Sequence, residues 1–270
     1  PDTGFAYFTN SEVRKTVDGG QTWKRVGIPQ RGFGGVYFFN PQKGFAAGED
    51  KVFKTTDGGK SWRGALLPQM KSYDDIEDLH FLDTTLGYAI SSEKLYRTMD
   101  AGRSWQKINA PHNINFAHTV NFLSRDTGYI LTDNSVQYIY YTTDGGQNWQ
   151  EKTISGYYSG RTDIQFSGRT GYVITDIGEI YKTTDRGKNW KRLTEGIRGS
   201  LTTVTHNQNG EFYAASYNMY RSVDSGRTWD TVFQLNDGNI HEIEFYDSLH
   251  GWAVGSEGIF KLTTDGGATW

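Results

Sequence analysis

One short phrase recurs seven times along the chain and limits what it can fold into more than any other feature. Thr16-Val17-Asp18-Gly19-Gly20-Gln21-Thr22-Trp23 has counterparts centred on Asp57, Asp100, Asp144, Asp185, Asp224 and Asp265, spaced 39 to 44 residues apart. Thr or Ser stands two residues before each Asp and Gly two after it, and a Trp closes each copy, at Trp23, Trp62, Trp105, Trp149, Trp190, Trp229 and Trp270. A period of this length, sustained from end to end, signals equal supersecondary units that bury apolar surface by stacking on their neighbours.

Strand-sized runs bounded by turns precede each copy. The last unit has Ile243-Glu244-Phe245, then Gly251-Trp252-Ala253-Val254-Gly255, then Ile259-Phe260-Lys261-Leu262-Thr263. The same order holds at Leu79-His80-Phe81, Gly87-Tyr88-Ala89-Ile90 and Lys94-Leu95-Tyr96-Arg97-Thr98. A fourth run follows each Trp, as in Trp190-Lys191-Arg192-Leu193. The pattern predicts four antiparallel strands per unit, A to D from the axis outward, and an all-β fold: one seven-bladed β-propeller over residues 1–270. Asp is expected at the start of the C–D turn, accepting backbone N–H bonds, with Gly supplying positive φ and Trp covering the turn.

The phrase Ser/Thr-x-Asp-x-Gly-x-x-Trp resembles the Asp-box, or bacterial neuraminidase repeat. The stretch Gly251-Trp252-Ala253-Val254-Gly255, running on to Asp265-Gly266-Gly267-Ala268-Thr269-Trp270, looks most like the Asp-box propellers related to the photosystem II stability and assembly factor. That resemblance implies a seven-bladed, non-catalytic protein outside the cytoplasm, whether periplasmic, lumenal, secreted or at the cell surface. It also implies binding to other proteins during assembly, a membrane-associated complex among the candidates; no cofactor is expected, since no phosphate loop or dinucleotide fingerprint stands in a suitable context.

Pro1-Asp2-Thr3-Gly4-Phe5-Ala6-Tyr7 matches Arg125-Asp126-Thr127-Gly128-Tyr129-Ile130, so the chain opens on strand B of its first unit and stops where strand D of its seventh would begin. Incomplete terminal blades are therefore expected, within a parent chain that continues in both directions. Basic and acidic residues number 28 and 31, for a net charge of -3, which gives no field that favours nucleic acid. The absence of cysteine excludes disulfides and thiolate metal sites and suits an oxidising compartment. No apolar run approaches the ~20 residues of a membrane span.

In such blades the Asp turns share one face with the A–B turns, while B–C turns and D–A loops share the other. Binding residues concentrate on variable loops held by a rigid scaffold. The candidates there are Arg31, Tyr73, Asp74, Asp75, Phe116, Tyr157, Tyr158, Arg161, Arg198 and His241. Aromatics and arginines among glycines suit a protein interface; the same aromatics equally suit packing between blades.

An enzyme is the alternative, together with carbohydrate binding. The start motif and arginine trio of sialidases find no match, since the nearest tripeptide is Gly27-Ile28-Pro29. Paired carboxylates for glycoside hydrolysis would come from Asp74, Asp75, Glu77, Asp163, Glu242 and Glu244. His80, His112, His118, His206 and His241 fall on or near strand A but lack ligand spacing within one element, so no metal site is expected.

Overall fold

The computed structural model describes residues 3–8, 12–29, 35–71, 74–112, 114–132, 138–153, 163–193, 197 and 199–270. The fold is all-β, a seven-bladed β-propeller built from seven antiparallel sheets in chain order. Blade 1 has three strands (Gly4–Phe8, Glu12–Thr16, Lys24–Val26), as does blade 7 (Ile240–Phe245, Gly251–Gly255, Phe260–Thr263). The five blades between them have four strands each. Blade 1 thus contains strands B to D and blade 7 strands A to C, as the phase of the repeat predicts.

The chain divides into two compact units, the first carrying blades 1 to 4 and the second blades 5 to 7. Within each unit, strand B lies at the centre. Gly44–Ala47, Gly87–Ser91, Gly128–Thr132 and Phe212–Ala215 are buried at every residue. A strand covered on both faces reads as a continuous apolar run, and these do. Strand D is the exposed outer edge, carrying residues such as Lys24, Arg63, Gln106 and Asp230.

The blades interlock through a repeated aromatic joint. Strand A brings a Phe opposite a strand B glycine: Phe38 with Gly44, Phe81 with Gly87, Phe122 with Gly128, Phe166 with Gly171 and Phe245 with Gly251. The ring lies over the glycine, so a Cβ on Gly87 would sit 2.3 Å from Phe81 Cδ1. Within a unit, its outer surface meets the strand B aromatic of the preceding blade. Ring centroids are 3.4 Å apart for Phe5 and Phe38, 4.0 Å for Phe45 and Phe81, and 3.5 Å for Tyr88 and Phe122. The Trp of the same blade then meets the Phe edge-on, as at Phe81–Trp105 (6.1 Å, 79°) and Phe122–Trp149 (6.2 Å, 86°). The Trp therefore covers more than the turn. It fills the outer end of an inter-blade core.

Candidate functional site

Two sets of turns cap the blades at opposite ends, and hydrogen bonds tie each set together. At one end the Asp turn is bonded to the A–B turn of its own blade, through Gly58 N–H to Gln42 O (2.8 Å), Gly145 N–H to Asp126 O (2.9 Å) and Gly266 N–H to Leu249 O (2.7 Å). At the other end the D–A segments meet the B–C turns, through Leu67 N–H to Asp50 O (3.1 Å), Ala117 N–H to Ser92 O (3.4 Å) and Leu235 N–H to Tyr217 O (3.0 Å).

The Asp turn has one geometry in all seven copies. The Thr or Ser hydroxyl two residues upstream is buried, donates to the Asp carboxylate and accepts the N–H of the Gly two residues downstream. The residue four positions after the Asp closes the turn. In blade 4, Asn148 donates its backbone N–H to Asp144 Oδ1 (2.9 Å) and its side-chain amide to Oδ2 (2.8 Å). Thr22, Ser61, Ser104, Asn189, Thr228 and Thr269 repeat this clasp. It holds the carboxyls of Asp18, Asp57, Asp100, Asp144, Asp185, Asp224 and Asp265 down to about 2. At Asp100 slight burial acts first in the opposite direction, and the bonds from Ser104 and Thr98 outweigh it. With both oxygens taken by turn donors, these carboxylates serve the turn itself.

Of the ten candidates at the opposite end, Arg31, Tyr73, Tyr157, Tyr158, Arg161 and Arg198 lie outside the described residues. The other four differ in character. Asp74 is 3% exposed, and its carboxylate accepts the Lys94 ammonium and the Lys71 N–H (3.3 Å). Burial works to raise its carboxyl, but the bonds from Lys94 and Lys71 prevail and hold it below the ordinary value. Asp74 therefore anchors its loop inside the protein. Asp75 is half-buried, and burial, Glu49 and Asp74 together push its carboxyl up. Phe116 is 66% exposed with φ at 63°, and so does not pack between blades. His241 is exposed near the start of strand A in blade 7, at the bulge between Ile240 and Glu242.

Several strand A residues considered for chemistry hold neighbouring blades instead. Asp163 Oδ2 accepts the Val204 N–H (2.9 Å), joining blades 5 and 6. Asp78, which the repeat does not single out, does the same for blades 3 and 4 by accepting the Val120 N–H (2.9 Å). The His80 ring bonds Phe122 O through Nε2 (2.9 Å), and burial lowers its pKa. His206 Nδ1 is buried, its pKa also lowered by burial. Glu244 reaches solvent but is hemmed in by protein, which raises its carboxyl against a hydrogen bond from Trp252. Among the described residues, no three His, Asp or Glu side chains gather as a metal site.

Known proteins share this architecture. A structure described as YCF48 bound to D1 peptide superposes with a TM-score of 0.77 at 22% identity, covering 97% of this chain and 88% of the other. YCF48 from Cyanidioschyzon merolae gives 0.74 at 21%, covering 98% and 92%. A GH74 xyloglucanase from Xanthomonas campestris gives 0.74 at 14%, covering 98% of this chain and 50% of the enzyme. At these identities the likeness shows the fold alone. In sequence, the photosystem II assembly lipoprotein Ycf48 of Prochlorococcus marinus is 42% identical over 48 residues, 18% of this chain and only 14% of that relative's length. The profile of the Photosynthesis system II assembly factor YCF48 family matches residues 65–229, more than half of the sequence, and the chain belongs to that family.

Proposed function

We propose that this protein is a non-enzymatic, protein-binding assembly module that works outside the cytoplasm, its seven blades forming one scaffold. Family membership over residues 65–229 is the observation that carries the reading. A fold relative is described as bound to D1 peptide, and a sequence relative as an assembly lipoprotein. The chemistry of the described residues supports the same reading. Asp163 and Asp74, which a two-carboxylate hydrolase could have used, are committed to a neighbouring backbone N–H and to a buried lysine. A chain without cysteine suits an oxidising compartment.

Affinity purification of the tagged protein from its native cells, with co-eluting proteins identified by mass spectrometry, tests the binding role. Reproducible co-elution of the same membrane-complex subunits is expected. If nothing co-elutes while incubation with xyloglucan releases reducing ends, the protein is a hydrolase and the reading fails. Cell fractionation tests the location: recovery in the cytoplasmic fraction would overturn that part.

A further inference from the structure

In blades 5 and 6, the end that carries the Asp turns is basic. Arg186 and Lys188 flank Gly187 in the Asp turn of blade 5, and the Arg186 N–H bonds Arg169 O (2.9 Å) in the A–B turn beside it. From strand C of the same blade, the Lys182 ammonium donates to Ser225 O (2.7 Å) in the Asp turn of blade 6. Arg227 of that turn is close enough to oppose the charge of Lys182. These five cations line one surface across two adjacent blades, all within the described residues.

The surplus is not cancelled locally. Five cations stand against two carboxylates, Asp185 and Asp224. Glu211 is taken up by Arg221 at 2.6 Å. The A–B turns Ser167-Gly168-Arg169-Thr170 and Asn207-Gln208-Asn209-Gly210 hold no carboxylate, whereas those of blades 3 and 4 hold Asp83 and Asp126, and Asp83 feels the charge of Arg125. The turns of blade 7 hold Asp247, paired with His250 at 2.9 Å, and Asp265, with no Lys or Arg, so the surplus is confined to blades 5 and 6. Among the described residues, the exposed side chains of Arg169, Lys188 and Arg227 find no hydrogen bond or ion pair and can meet a ligand without breaking a contact.

Apolar side chains project from the same end. Val223, between Ser222 and Asp224, is 64% exposed, and Leu249 of blade 7 is 49% exposed. The turn that bears Leu249 is tied to blade 6 through Gln208 Nε2 to Tyr246 O (3.2 Å) and Asn209 Nδ2 to Ser248 O (3.4 Å). Because the Asp turns share one geometry, this surface is a row of equal turns. Unpaired cations beside projecting apolar groups suit a plane of anionic headgroups over acyl chains, where each kind of side chain finds its own depth.

We propose that the Asp-turn end of blades 5 and 6 docks on an anionic lipid bilayer, with Arg169, Lys188 and Arg227 at the headgroups and Val223 entering the interface. Sedimentation of the full chain with vesicles tests it, using phosphatidylcholine alone and phosphatidylcholine mixed with phosphatidylglycerol. The protein is expected to sediment with the anionic vesicles only and to be released as salt is added. Arg169→Gln with Lys188→Gln and Arg227→Gln should weaken binding about tenfold or more without lowering the melting temperature, since these side chains hold no contact in the fold.

The same neutralisation at Lys43, Lys60 and Arg103, on turns of blades 2 and 3, should leave binding near the parent value. Val223→Ser should weaken it by less and leave the salt dependence unchanged; undiminished binding would put Val223 outside the bilayer, against the proposal. No sedimentation with anionic vesicles, equal sedimentation with both kinds, or equal losses from the two triple variants would each overturn it. So would release from vesicles by soluble polyglutamate at matched charge, which would assign the surface to an acidic polypeptide. The protein-binding reading fails or stands separately: a chain that captures partners and ignores vesicles keeps that reading and loses this one.

Discussion

At the scale of single residues, the seven Asp turns are small machines for satisfying backbone groups. Thr142 shows how: its hydroxyl is buried, donates to Asp144 Oδ1 (2.8 Å) and accepts the Gly146 N–H (3.0 Å). Thr142→Val keeps the shape and removes both bonds, leaving a buried N–H unpaired, and should cost about 1–3 kcal/mol in a urea titration. A cost near zero would mean that water replaces the hydroxyl. The carboxylates add a pH dependence of definite sign. Their folded values of about 2 lie below the ordinary 3.8, so their contribution is full above that value and is lost as pH falls through about 2. The seven Asp turns should therefore make melting temperature fall between about pH 4 and pH 2, after an earlier decline that sets in below about pH 6.5 from His80 and His206, whose pKa values burial lowers. Absence of the steeper fall between about pH 4 and pH 2 would mean that the turn bonds do not hold the Asp carboxyls down. Asp and Trp were legible in the sequence because they repeat. The side-chain half of the clasp is not part of that reading, because Thr22, Ser61, Ser104, Asn148, Asn189, Thr228 and Thr269 differ in type and share only a side-chain donor just before the Trp. Their chemical variety hides a constant function.

Among the elements, blade 6 breaks the aromatic joint and repairs it. Its strands Thr203–His206 and Phe212–Ala215 set His206 opposite Phe212, where other blades set Phe opposite Gly. The aromatic ring has moved across the ladder. Phe212 now meets Tyr172 of blade 5 at 4.0 Å, and His206 stacks on Phe212 at 5.7 Å. Each change needs the other, because a glycine opposite His206 would leave Tyr172 uncovered and a Phe opposite Phe212 would overfill the space. Phe212→Gly alone should cost about 3–5 kcal/mol, by analogy with truncating a buried Phe, and His206→Phe alone about 1–3 kcal/mol from overpacking. The double variant should recover most of the loss, since it restores the arrangement of Phe166 and Gly171. Additive losses in a double-mutant cycle would show that the two sites do not compensate. The strand pattern was readable around blade 6 because its apolar spacing survives. The exchange was not, since it requires knowing which residues face each other across the A and B strands.

At the scale of the whole molecule, each compact unit is a series of such joints, and its stability should behave as a sum of neighbour terms rather than as one core. The number of blades, and the three-stranded sheets at both ends, were legible because the repeat fixes phase along the entire chain. The candidate site was far less so. D–A loops such as Pro68–Asp75 escape the repeat, and nothing periodic marks Phe116 as projecting or Asp74 as buried beside Lys94. The joint between blades 2 and 3 offers the sharpest test of the additive view. Phe81 is 2% exposed, stacked on Phe45 of the preceding blade and met edge-on by Trp105 of its own. Phe81→Ala removes the ring from both contacts and should destabilise by about 3–5 kcal/mol. If stability is a sum of joints, hydrogen exchange will speed up in Gly44–Ala47 of blade 2 and Gly87–Ser91 of blade 3. Tyr138–Thr142 of blade 4 should keep most of its protection, because the Tyr88–Phe122 joint that holds blade 4 to blade 3 is untouched. Equal loss in all of these strands would instead mark the first unit as one cooperative body in which the joints are not separable.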